Sequence, residues 1–367
     1  MVDTDVLIIG GGPAGLATAV AARRRGLSVI VADGARPPID KACGEGLMPD
    51  GRAALAELGI DLSSAPSFPF RGIRFADLDT TVCADFPSGA GIGMCRTLLH
   101  SVMEQHAESA GAKLLWNTPV TGIAGNTVHL AGSKIAARWI VGADGSHSLV
   151  RQWAGLNHFF QRRTRYGFRR HYRVRPWSEF MEIYWGRNAQ IYVTPVAQDE
   201  VCVALISKDP HMRLDTALPD FPAVMARLKS AQPSSIERGA VSASRRLRRI
   251  YRGNIALVGD ASGSVDAITG DGLCLAFQQS VALAAALATG ALANYQAHHR
   301  RVARRPAVMA ELMLMLDGRA ALRQRAIRAM SARPGIFADM LAAHVGAIPP
   351  LALAMSTVTL GWQMLIG

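Results

Sequence analysis

Three apolar runs that end in glycine set the plan of this chain. Asp5-Val6-Leu7-Ile8-Ile9 shows no polar alternation, so it predicts a strand buried on both faces, and it runs straight into Gly10. A helix over Ala14 to Arg25 follows, and then a second strand, Ser28 to Ala32, that closes on Asp33. The same grammar returns at Trp139-Ile140-Val141-Gly142 and at Ile255-Ala256-Leu257-Val258-Gly259. After the last run comes a loop and then Thr269-Gly270-Asp271-Gly272-Leu273, where a glycine pair opens an apolar helix. Between these glycine-ended runs lie Phe180 to Trp185, Gln190 to Thr194 and Glu200 to Ile206, whose β-branched and aromatic content predicts an antiparallel sheet.

The first glycine group has a definite chemical use. In Gly10-Gly11-Gly12-Pro13-Ala14-Gly15 the spacing of Gly10, Gly12 and Gly15 permits a tight turn, close approach to a pyrophosphate, and close packing of helix on strand. The helix from Ala14 aims free N–H groups and the positive end of its dipole at the phosphates. Asp33 lies at the distance expected of an acid that holds a ribose hydroxyl pair. By itself such a spacing is also read as a plain glycine turn, and it does not separate NAD from FAD. The distal motifs make that choice, because the longer FAD molecule draws contacts from far along the chain.

Gly142-Ala143-Asp144-Gly145 resembles the Asp-Gly motif, and Gly259-Asp260-Ala261 the Gly-Asp motif, of the single-component flavin monooxygenase superfamily, which includes the geranylgeranyl reductases and flavin halogenases. The resemblance spans roughly residues 1 to 295. It implies an α/β fold: a Rossmann-like FAD-binding domain of the glutathione reductase and p-hydroxybenzoate hydroxylase type, an inserted antiparallel substrate sheet, and a helical C-terminal region. It implies that Asp144 lies near the pyrophosphate and the path of the nicotinamide donor, that Asp260 holds the ribitol, and that Arg96 stands beside FAD. Gly270, Asp271, Gly272 and Leu273 would meet the flavin ring, with Asp271 read as a solvated loop carboxylate. One departure is Ile268-Thr269 where the family commonly carries a proline, so the loop is less stiff.

Lys41-Ala42-Cys43-Gly44-Glu45-Gly46-Leu47 resembles the cysteine-glycine loop of the geranylgeranyl reductases, which implies a flavin-proximal or redox place for Cys43; the alternative is a small residue in a cramped loop. In the family the inserted sheet roofs the substrate cavity, so Tyr184, Trp185, Tyr192 and Pro195 are candidate lining residues, against ordinary sheet packing. The reductases carry an aromatic-rich segment ending in Phe-Pro near this point; here Ile191-Tyr192-Val193-Thr194-Pro195 stands instead.

Composition narrows the frame. With 367 residues, 50% hydrophobic and 19% charged, the chain is globular and long enough for two domains. The organisation expected is an FAD-binding domain from 1–160 with 245–295, a substrate sheet at 161–244 to which 70–100 contributes, and a helical region at 296–367. Five cysteines without a CxxC pair argue against a disulfide framework or a zinc site, so no metal is expected. The first strand starts almost at Met1, and a reducing cytoplasm is expected. Net charge is +12, and residues 245–335 hold fourteen arginines against five acids. Nucleic acid is not the expected partner, since no aromatic-interleaved binding motif accompanies the charge. After Asp339 no Asp, Glu, Lys or Arg occurs, and Leu351 to Ile366 is apolar but, after Pro349-Pro350, too short to span a bilayer. Peripheral attachment to an anionic membrane surface at its inner face is expected; a buried hairpin or a dimer interface is the alternative.

The leading functional expectation is an FAD-dependent monooxygenase. The resemblance implies that it would use NADPH or NADH and molecular oxygen to hydroxylate or epoxidise a hydrophobic phenolic, polyketide or lipid-like substrate through a flavin C4a-hydroperoxide. Such chemistry needs no side-chain nucleophile, and the chain offers no triad or paired carboxylates. The rival is a reductase of carbon–carbon double bonds in a polyprenyl lipid, implied by the Cys43 loop and Gly270-Asp271-Gly272. A halogenase is weaker, because the tryptophan-rich halogenase segment is not evident. A noncatalytic FAD-binding or electron-transfer protein is the reading from another class.

Overall fold

The apolar runs become the parallel sheet of a doubly wound unit in the computed structural model, which describes residues 2–349 except residue 64. The first strand, Thr4–Ile9, lies between Val29–Ala32 and Ser133–Gly142, with Lys113–Leu115 beyond the former and Ile255–Leu257 beyond the latter. All five run parallel. Ile9 pairs with Gly142 and Gly142 with Leu257, so three separated chain segments end at one level and open onto the same edge of the sheet. Val6, Leu7, Ile8, Ile140 and Val141 are wholly buried, which is why these strands read as continuous apolar runs. Helix Pro13–Arg23 ends two residues before the predicted Arg25, and it packs on helix Gly272–Thr289, where the Thr18 and Ser280 hydroxyls meet at 2.9 Å. That second helix is long and apolar enough to cross a membrane, with a mean hydropathy of 1.5; it lies instead in the core beside the first helix and the C-terminal helices.

The second sheet has nine strands. Phe159–Arg173, Phe180–Trp185, Ala189–Ala197, Glu200–Ser207 and Arg238–Leu247 form its antiparallel body. Gly72–Asp77 joins Phe180–Trp185 in parallel, and Thr80–Asp85 follows at the edge. Both faces are covered along its central strands, Phe180–Trp185, Ala189–Ala197 and Glu200–Ser207. Tyr192, Ala204, Ile206, Ile183 and Trp185 join the main core, while Ile191, Val193, Val203 and Leu205 pack with Leu214, Phe221 and Val224 from the short helices at 214–228. A sheet covered on both faces explains why its segments show little polar alternation.

Helices Leu292–Asp317, Ala320–Ala332 and Pro334–His344 complete the described chain. They cap the edge of the second sheet: Phe337 stacks at 4.7 Å on Phe75, and Arg323 Nε donates to Asp77 Oδ2 at 2.9 Å in a buried pair. The apolar segment Leu351 to Ile366 lies outside the described residues.

Candidate functional site

The glycine loop at the end of the first strand is closed on two sides and open on the third. A Cβ at Gly10 would sit 2.4 Å from the Ala143 carbonyl oxygen, and one at Gly15 only 1.9 Å from that of Gly10, so neither position admits a side chain. At Gly12 a Cβ would meet nothing within 4 Å. Pro13 fills the first helical turn, where its missing N–H costs nothing, and Ala14 abuts Gly259, whose φ is +59°. The free N–H groups of this helix therefore face an open groove shared with the Gly-Asp motif.

Asp33 receives the Gly11 N–H at 2.7 Å on one carboxylate oxygen and the Ala35 N–H at 2.7 Å on the other, so it holds the glycine loop in shape. Behind that loop sits His100, a residue that sequence reasoning missed. Its Nε2 donates to the Gly11 carbonyl at 2.9 Å, and burial holds its pKa below the usual histidine range, so it is a neutral Nε2–H donor. The available signal was its spacing: His100 lies one helical turn after Arg96 on helix Arg96–Ser109.

Beside the groove, three cations lie within electrostatic reach of one carboxylate. Asp260 opens into the groove, and there dehydration by the surrounding protein pushes its pKa up, while Lys41, Arg96 and Arg245 pull it back down. Arg96 is buried and its Nε has no partner among the described residues. A glycine cradle, a helix N-terminus, unpaired buried guanidinium and two further cations suit a diphosphate, and the residues present fit FAD. The Asp-Gly motif contributes differently: Asp144 Oδ2 accepts from the N–H groups of Leu149 at 2.7 Å and Val150 at 3.1 Å, capping the helix at 149–153, while Gly145 turns at φ +77° beside the Lys41 ammonium.

A cavity beside the groove draws on segments far apart in the chain. Cys43, Glu45, Leu47, Arg96 and Leu273 line it. Gly270 adopts the left-handed conformation at φ +73°, and Gly272 starts the following helix at the groove with no atom where its Cβ would be. Asp271 corrects the sequence reading. It is not solvated but 2% exposed, 3.6 Å from His344 Nε2, with burial raising its pKa and His344 opposing. The reason is the C-terminal helix, which folds its last turn over the loop.

Glu45 was unremarked in sequence and is the most connected side chain here. Its carboxylate accepts from the Arg96 backbone N–H at 3.0 Å, meets His171 Nε2 at 2.5 Å and lies 3.4 Å from Arg169 Nε; Arg169 also pairs with Asp40. The donor atoms of Glu45, His171 and Cys202 would suit a metal by spacing, but the Arg169 guanidinium already supplies the positive charge.

Of the four candidate lining residues, the structure brings only part of the set to this side. The Tyr192 hydroxyl lies 2.9 Å from the Ile268 carbonyl and 3.1 Å from Gln190 Oε1, tying the sheet to the loop before Gly270. Pro195 is buried with its carbonyl against Gly93. Trp185 packs edge-on to Phe75 at 5.8 Å, under the C-terminal helices. Tyr184 turns to the opposite face, donating to Glu182 Oε2 at 2.8 Å, because strand alternation gives it the side opposite Trp185.

Comparison with known proteins agrees with this geometry. The family model for the FAD binding domain matches residues 3–308. The chain is 26% identical over 298 residues to a menaquinone reductase of Mycobacterium tuberculosis, covering 73% of this chain and 72% of that protein. It is 28% identical to digeranylgeranylglycerophospholipid reductase 2 of Methanosphaera stadtmanae, with 77% of each covered. A flavoprotein/dehydrogenase from Cytophaga hutchinsonii shares the fold with a TM-score of 0.81 at 18% identity, over 94% of this chain and 93% of that one.

Proposed function

This chain belongs to the FAD binding domain family, as a flavin-dependent oxidoreductase, and on that premise we propose that it reduces carbon–carbon double bonds in the prenyl chain of a lipid. The observation that carries the reading is the folding of the Cys43–Glu45 loop into one cavity with Arg96 and Leu273, together with relatives whose names denote reduction of prenyl-bearing lipids. Sequence alone placed monooxygenation first; the reductase reading now leads because both features point to the same branch.

FAD held there and reduced by NADPH or NADH would supply a hydride to one alkene carbon, and a proton drawn from solvent would complete the addition at the other. The protein's part is to bind and to exclude water. Gly12, Arg96, Lys41 and Arg245 would hold the diphosphate and Asp260 the ribityl chain, while Leu47, Ile92 and Leu273 give the cavity apolar walls. Glu45 is held by Arg96, Arg169 and His171, so its carboxylate is a fixture of the loop rather than a free acid. Cys43 lines the same cavity from that loop as a free thiol, which would set it near the reacting carbons.

Attachment to an anionic membrane surface is part of this proposal, supported by the arginine excess at 245–335 and by the exposed Phe160, Val308 and Met315. The deciding experiment incubates the FAD-loaded enzyme anaerobically with NADPH and a geranylgeranyl lipid, with Asp260→Ala as control. Products heavier by pairs of hydrogens support the reductase. A product that gains one oxygen, and only in air, replaces it with the monooxygenase; flavin that no nicotinamide donor reduces leaves an electron-transfer protein.

A further inference from the structure

The arginines that the flavin site leaves unused are not scattered. Arg248, Arg249 and Arg252, on the segment leading into strand Ile255–Leu257, and Arg300, on helix Leu292–Asp317, line a cleft of about 380 Å³ with Tyr251, Gly253 and Gln296. That volume holds a diphosphate-sized group rather than a single water, which occupies ~30 Å³ in the liquid. No carboxylate lines the cleft, and among the described residues none of these four arginines makes an ion pair.

The walls are held in place without using up the charge. Gln296 Oε1 accepts the Ile250 N–H at 3.0 Å, fixing the helix to the strand segment, and Arg300 donates to the Arg248 carbonyl at 3.1 Å. Arg252 donates to the Ala154 carbonyl at 3.4 Å. The positive field is felt nearby: burial above all, then His298 and Arg300, lower the pKa of His299 to about 4. Four guanidinium groups kept together repel one another, and an anion that they share removes that cost.

The cleft is separate from the cofactor groove. Strand Ile255–Leu257 runs parallel to Ser133–Gly142, from the hairpin at 251–254 toward Gly259, so the cleft lies at the start of the strand and the groove at its end, ~16 Å apart at ~3.3 Å per residue. We propose that this cleft is a second anion site, which takes a phosphate or diphosphate group through Arg248, Arg249, Arg252 and Arg300. Guanidinium forks match phosphate oxygens in pairs, and the group could belong to a soluble ligand or to a lipid headgroup.

The test uses FAD-saturated enzyme, so that the cofactor groove is filled. Calorimetric titration with inorganic diphosphate is compared for the wild type, Arg249→Glu with Arg300→Gln, and the control Arg187→Glu, an exposed arginine in the turn between strands Phe180–Trp185 and Ala189–Ala197. We expect at least tenfold weaker binding in the double variant and none of that loss in the control, with the flavin spectrum unchanged in all three. Sedimentation with phosphatidylcholine vesicles, with and without phosphatidylglycerol, names the source: retention on the anionic vesicles that diphosphate competes away assigns a lipid headgroup, and no retention assigns a soluble phosphate ligand. Absence of diphosphate binding, equal loss in the control, or arginine-dependent binding of duplex DNA alone would overturn the site.

Discussion

His171 Nε2 stands 2.5 Å from Glu45 Oε2, so a residue in the middle of the second sheet grips the loop that carries Cys43. With Arg169 and the Arg96 backbone N–H on the other oxygen, the loop is tied at once to the substrate sheet and to the helix beside the glycine loop. Glu45→Ala leaves buried Arg169 with Asp40 as its one carboxylate partner and removes the carboxylate partner of His171. Loss of one member of a buried ion pair destabilises by roughly 3–5 kcal/mol, so the midpoint of urea unfolding should fall markedly. A midpoint equal to wild type would show that Glu45 is not the tie.

Gly12 and Gly15, three residues apart, should behave in opposite ways. At Gly12 an added side chain enters open groove, so Gly12→Val is expected to fold but to bind FAD weaker by on the order of 100-fold, because it fills the space left for phosphate. At Gly15 the same change meets the Gly10 carbonyl at 1.9 Å, and the protein should not accumulate in soluble form. Circular dichroism and flavin absorbance of both variants check the pair; a yellow Gly12→Val protein contradicts the placement of the diphosphate.

His299 makes an acid-side prediction. Its pKa lies at about 4, below the ordinary 6.5, first because burial disfavours the cation and then because of His298 and Arg300, while its Nε2 meets the Ser262 hydroxyl at 2.9 Å. The folded state resists protonation more than the unfolded chain does. Its contribution to stability is therefore present above pH 6.5 and lost as pH falls toward 4, by roughly 3 kcal/mol at most. His299→Gln should flatten the stability curve between those values; superimposable curves would remove His299 as the cause.

The cysteines should differ sharply in reactivity. Burial first, and then the Glu45 carboxylate, push the Cys95 and Cys202 thiols well above the usual range, and burial does the same to Cys274. Cys83 is exposed. Iodoacetamide at pH 8 should modify Cys83 in the native enzyme and these three only on unfolding, while Cys43 should react in FAD-free enzyme and be protected by bound FAD. Peptide mass spectrometry reads the order; modification of Cys43 at an undiminished rate in the presence of FAD would place it outside the flavin cavity.

Local features were legible from the chain alone. Runs such as Asp5 to Ile9 and Ile255 to Val258 have no polar face, so they had to be interior strands, and the glycines that end them had to be turns, because those properties depend only on neighbours in the chain. The FAD motifs were legible for the same reason. Whether Asp271 meets water, or Tyr184 a cavity, depended on elements far away: the last turn of helix Pro334–His344 covers the first, and strand alternation with the helices at 214–228 hides the second. Glu45 and His171 carried no local signal of their roles, since each acts on a group more than fifty residues distant. Only the tertiary structure brings such pairs together, because the burial of charge, which fixes their protonation and their partners, is decided when the two sheets close on each other.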